Sequence, residues 1–127
     1  MLSPASRMRS AADFQATIRR GVRAGRPTLV VHARLLPQSP PAVESTRVGF
    51  VVSKAVGNAV TRNRVKRRLR HLMRPRIASF PQDVHIVVRA LPAAASEPER
   101  LADDLDGALQ TCLGRLGIPD GLGVTGG

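Results

Sequence analysis

The chain has 127 residues, 20 of them Lys or Arg and 9 Asp or Glu, for a formal net charge of +11; this length fits one domain with a modest core and excludes a two-domain enzyme. Hydrophobic residues make up 43% of the chain, enough to fold, so a wholly disordered polybasic tail is excluded and a folded, strongly cationic surface calls for an anionic partner. A single cysteine, Cys112, rules out an internal disulfide framework, and no Cys/His cluster suggests structural zinc.

The N-terminal residues contain no continuous apolar stretch, and nowhere do 18 apolar residues run together; the expectation is a cytoplasmic chain with no membrane span. Ser10 followed by Asp13 forms a capping-box pattern, and Phe14 with Ile18 gives an apolar face, predicting a helix over 11–20 that Gly21 stops. Thr28 to Leu36 alternates as a strand, Pro37 to Thr46 is proline-rich loop, and Arg47 to Ser53 is a second strand. Two strands joined this way predict a hairpin. Asn58 caps a helix over 59–74 that Pro75 closes. Val84 to Ala90 is a further strand. Ser96 with Glu99 predicts a capped last helix whose Leu101, Leu105, Leu109, Cys112 and Leu116 form one stripe.

Residues 1–116 thus form one domain, and 117–127, with five glycines, form a disordered tail. The element order predicts a two-layer α/β (α+β) sandwich, a small sheet covered by helices. If Leu29, Val48 and Ile86 turn inward, the opposite sheet face carries His32, Arg34, Ser53, His85 and Arg89. That face is either an open cleft for a nucleic-acid strand or is covered by the first helix, with Arg34 and Arg89 reaching out to solvent.

No acidic residue lies between Glu44 and Asp83, yet 10 of the 20 basic residues do. On a helical wheel Val65, Leu69 and Leu72 fall on one side, while Asn63, Arg67, Arg70 and Arg74 cluster at about 140–200° from Val65. Arg62 lies off that cluster, beside Leu69. With no carboxylate within four residues to pair with them, these cations point to polyphosphate, through bidentate Arg–phosphate contacts and counterion release. An anionic membrane fits less well, because the apolar stripe is narrow and lacks Trp or Phe. The last helix carries the opposite sign through Glu97, Glu99, Asp103, Asp104 and Asp106; it is expected to pack by its leucines, with Asp103 and Asp104 facing solvent. No acid–base pair, phosphate loop or zinc-hydrolase motif is present.

The run from Arg47 to Arg70, RVGFVVSKAVGNAVTRNRVKRRLR, closely resembles the signature of the protein component of bacterial ribonuclease P, whose RNR motif matches Arg62-Asn63-Arg64. Asp13-Phe14-Gln15, Gly21 and Asp83 to Arg89 extend the resemblance over roughly 7–116. It implies a left-handed βαβ crossover around the RNR helix, against the usual handedness. It also implies an accessory subunit of a ribonucleoprotein endoribonuclease that frees the mature 5′ end of tRNA. Catalysis would belong to the RNA and its Mg2+, with no catalytic residue, metal site or cofactor on the protein, which alone would cut nothing. By the same resemblance Arg62, Asn63, Arg64, Lys66, Arg67 and Arg70 would face the catalytic RNA. Phe14, His32, Ser53, Lys54 and Arg89 would line a cleft for the 5′ leader of precursor tRNA. Ile18, His32 and Ala55 depart from the family, where a second aromatic, a tyrosine and a second lysine often stand. With no Trp or Tyr and three Phe, leader contact is expected to lean on charge and to be salt-sensitive. The alternative function is a structural ribosomal protein or general RNA chaperone; the 47–70 run together with Phe14 and Arg89 favours the ribonuclease P reading.

Overall fold

The computed structural model describes residues 8, 10–36, 46–77, 80 and 84–117. Residues 37–45 of the expected proline-rich loop and all but the first residue of the glycine-rich tail lie outside them. Helix α1 (Ala11–Arg20) starts where Ser10 caps it, the Asp13 N–H donating to Ser10 Oγ at 3.3 Å. Gly21 ends it, because a Cβ there would meet the Ala33 carbonyl oxygen at 2.4 Å as the chain turns against the sheet. Strands β1 (Val22–Gly25), β2 (Leu29–Leu35), β3 (Arg47–Val51) and β4 (Val84–Ala90) form one sheet in the order β1-β2-β4-β3.

The predicted hairpin between the second and third of these strands is therefore incorrect. Strand β4 lies between them, antiparallel to β2 and parallel to β3. The long connection gave no turn-imposed register, and β4, buried at every position except Arg89, takes the central place in the sheet. Strand β1 was not anticipated; it is four residues long and pairs antiparallel with β2. Helix α2 (Ala59–Ile77) bridges the parallel β3 and β4, so the sheet is mixed and built around a β3-α2-β4 crossover.

Asn58 caps α2, its Oδ1 accepting from the Thr61 N–H at 2.9 Å. Pro75 does not close the helix as expected: α2 continues to Ile77. Only the last turn lies beyond Pro75, and Arg76 fastens that turn by donating to the Leu72 carbonyl at 2.6 Å and to both oxygens of Asp106 at 2.6 and 3.0 Å. The last helix is also corrected. Ser96 ends a short α3 (Ala93–Ser96), a 3₁₀ turn follows over Pro98–Arg100, and α4 runs Leu101–Arg115 without a side-chain cap. The run Ala93 to Ala95 has the highest helix propensity available and forms its own turn, so the serine cannot cap α4.

One sheet face, with Leu29, Val31, Ala33, Val48, Ile86 and Val88, packs on Val65, Leu69 and Met73 of α2 and on Leu101, Leu105, Leu109 and Cys112 of α4. Each such aliphatic burial contributes about 1.5–3 kcal/mol. Asp104 does not face solvent as expected; it accepts from the N–H and hydroxyl of buried Thr28 at 3.1 and 2.6 Å, tying α4 to the start of β2. Asp103 is exposed. Helix α1 lies across β2 and β4 on the opposite face.

Candidate nucleic-acid interface

Two surfaces flank strand β3. On α2, Val65, Leu69 and Met73 face inward, which leaves Asn63, Arg64, Arg67, Arg68 and Arg74 exposed and Lys66 and Arg70 half-buried. Among the described residues the ion pairs are Arg76–Asp106 and Arg100–Glu97, so every α2 cation except Arg76 has no carboxylate within pairing distance. A helix of unneutralised guanidinium groups repels itself in the absence of an anionic partner. Arg62 differs from its neighbours. Its Nε donates to the Gly57 carbonyl at 3.2 Å, holding the turn that enters the helix.

The second surface lies along α1. Here the register sets Arg23, His32, Val87 and Gly49 in one row and Val30, Arg89 and Val51 in the next. The Phe14 ring occupies the space above Gly49, where a Cβ would come within 2.3 Å of Cζ. Arg89 is exposed at the end of β4, opposite Val51, and Ser53 and Lys54 are exposed just beyond β3, so these three share one end of the sheet. A pocket of about 110 Å³ at the β3 edge joins the two surfaces, lined by Phe14, Gly49, Phe50, Lys66 and Arg70 among others.

His32 does not join the exposed group. It is 3% exposed, and α1 covers the strand that carries it, so the open-cleft reading of the central sheet face is corrected to the covered one. Burial, reinforced by the positive charges of Arg89 and Arg23, lowers its pKa below 6.5 and keeps the imidazole neutral. Arg89 reaches solvent as that reading requires, and Arg34 is half-buried. Gly49 was missed as a candidate site position. The signal was present, since a glycine inside a Val- and Phe-rich strand marks a close approach by another group.

Among the described residues no group of three or more His, Cys, Asp or Glu side chains comes together, and no helix is long and apolar enough to cross a membrane. A mixed sheet whose parallel crossover is a carboxylate-free cationic helix defines a small α+β protein built to bind polyanion. The comparisons with known proteins place the chain in a family. Residues 2–114 match a family model described as Ribonuclease P. The ribonuclease P protein component of Streptomyces avermitilis is 56% identical over 90% of this chain and 97% of its own length. That of a Nocardioides species is 56% identical over 92% and 96%. Among solved structures, the ribonuclease P protein of Staphylococcus aureus superposes with a TM-score of 0.72 at 26% identity, covering 84% of this chain and 94% of that one. The protein from Thermotoga maritima gives 0.65 at 26% identity over 84% and 94%. The chain belongs to the ribonuclease P protein family, and it is the protein subunit of an RNA-containing endoribonuclease of tRNA processing. This decides against the ribosomal or general-chaperone alternative.

Proposed function

We propose that the chain docks on the catalytic RNA of ribonuclease P through α2 and holds the 5′ leader of precursor tRNA at the α1 end of β3 and β4, in the cytoplasm. The observation that carries the reading is the set of unpaired cations on α2, Arg64, Lys66, Arg67 and Arg70, with the Asn63 amide beside them, held outward by the buried stripe of Val65, Leu69 and Met73. Arg62 takes part through the turn that it holds, with its remaining guanidinium nitrogens free for phosphate. Phe14, Lys54, Ser53 and Arg89 form the leader contact: one ring for stacking, two cations for phosphate and one hydroxyl. His32 lies beneath them and acts by packing. Mg2+ and the hydrolytic chemistry belong to the RNA, and the protein supplies positive charge where two polyanions must approach each other.

The test is precursor-tRNA cleavage by a bacterial ribonuclease P RNA at low Mg2+, with and without the chain, beside the chain alone. Stimulated cleavage at the correct 5′ end, with nothing cut by the protein alone, is the expected result. Tight binding of that RNA without any stimulation would overturn the leader half of the proposal.

A further inference from the structure

Beside the cationic face of α2 runs a groove of about 530 Å³ between that helix and the stretch from Pro98 to Ala102. Its α2 wall carries Arg64, Arg67, Arg68 and His71, and the apolar part of its lining comes from Leu72, Pro98 and Ala102. Glu99, exposed on the 3₁₀ turn, is its one carboxylate. A smaller cavity of about 160 Å³ adjoins it, sharing Arg64, Arg68 and Pro98 and reaching Ala94 and Ala95 of α3.

We propose that this groove receives an unstacked base of the RNA partner, with the flanking phosphates held by Arg64, Arg67 and Arg68. The inference rests on the reading that α2 faces RNA. The volume falls within the roughly 300–1,000 Å³ of sites that enclose small ligands. Apolar surface beneath a row of guanidinium groups suits a flat ring, because unpaired bases stack on guanidinium planes and bury their faces while the phosphates stay with the charge. The chain has no Trp or Tyr and three Phe, of which Phe50 and Phe80 pack against the core. Stacking at this end of the molecule therefore falls to arginine.

Glu99 selects the occupant. A carboxylate accepts a hydrogen bond from an exocyclic amino group, as it does from cytosine N4. Uracil offers no amino group, so an amino-bearing base is preferred. Arg68, which lines both cavities, gains a role that the RNR resemblance did not assign to it.

The experiment titrates the full chain onto the RNA subunit of a bacterial ribonuclease P in a salt series, with chemical probing of unpaired bases. Ala102→Trp fills the groove and leaves every cation in place. It is expected to weaken binding about tenfold, the size of one lost stacking contact, without changing the salt slope. It also re-exposes one unpaired base that the unaltered chain protects. Glu99→Gln lies on an exposed turn and tests the same site if Ala102→Trp does not fold; it should remove the preference between an RNA carrying the protected base and one carrying uracil there. If Arg67→Ala lowers affinity and slope while both groove variants bind and protect like the unaltered chain, the groove is empty in the complex and only the α2 reading stands. If Arg67→Ala changes neither, α2 is not the RNA face and both readings fall.

Discussion

The ring of Phe14 rests on Gly49 of β3, with Cζ 2.3 Å from where a Cβ would stand. The glycine lets the tip of an aromatic ring come down on an edge strand, half-exposed beside Lys66 and Arg70. Phe14→Ala is expected to weaken binding of a single-stranded leader by about 1–3 kcal/mol, the range for one base–aromatic stack. Gly49→Ala should weaken it in the same direction by displacing the ring, with a fold cost of about 1 kcal/mol from overpacking. Leader titrations of both variants check this, and a Gly49→Ala chain that binds leader normally would separate the glycine from the site.

Neighbouring arginines of α2 should part company on substitution. Arg67 is exposed and makes no bond within the chain, so Arg67→Ala should leave unfolding unchanged and reduce the log–log salt slope of RNA binding by about 0.7–0.9. Arg62 donates to the Gly57 carbonyl, and Arg62→Ala should in addition cost about 0.5–1.5 kcal/mol of stability. Urea unfolding and salt-dependent binding, measured on both variants, distinguish the two roles.

The Arg76–Asp106 contact joins the last turn of α2 to α4 through two hydrogen bonds. Both side chains are partly exposed, so its strength lies below that of a buried pair. Arg76→Ala is expected to lower stability by about 1–2 kcal/mol, the worth of hydrogen bonds to a charged group. It should also release the helix at Pro75, visible as lost amide-exchange protection over residues 73–77. Protection equal to the unaltered chain would show that Pro75 is tolerated without the clamp.

His32 links folding to pH. Its pKa is lowered on folding, so the unfolded chain takes up the proton first as pH falls. Its stabilising contribution is present in full above the ordinary value of 6.5 and is lost as pH drops through the folded-state value. Stability should therefore decline as pH falls below 6.5, and His32→Phe, which cannot titrate, should flatten that decline. An unchanged profile in the variant would assign the pH dependence elsewhere.

Features governed by neighbours in sequence were legible before the structure. The Ser10 and Asn58 caps, the three longer strands and the leucine stripe of α4 all depend on short-range pattern. So did the charge segregation of α2, because the absence of carboxylates from Ser45 to Gln82 is visible without coordinates. Properties set by distant parts of the chain were not legible. The place of β4 between β2 and β3 depends on pairing between distant segments, and the burial of His32 depends on α1 crossing the sheet. Pro75 sits inside a helix because a side chain thirty residues away holds the turn beyond it. Strand β1 was too short to announce itself.

The strand order also fixes when the molecule can fold. The last strand to be synthesised, β4, is the one that β2 and β3 both pair with, and β3 has no other ladder partner among the described residues. Until Val84 to Ala90 leaves the ribosome, β1–β2 is the only one of the ladders among the described residues that can form, and α2 emerges before the β4 strand on which the sheet closes. Closing β3 onto β4 across the whole of α2 is a long-range step of the kind that slows folding. The nascent chain therefore displays the cationic α2 before it has a core, and a polyanion that neutralises α2 at that stage would remove the self-repulsion that opposes closure.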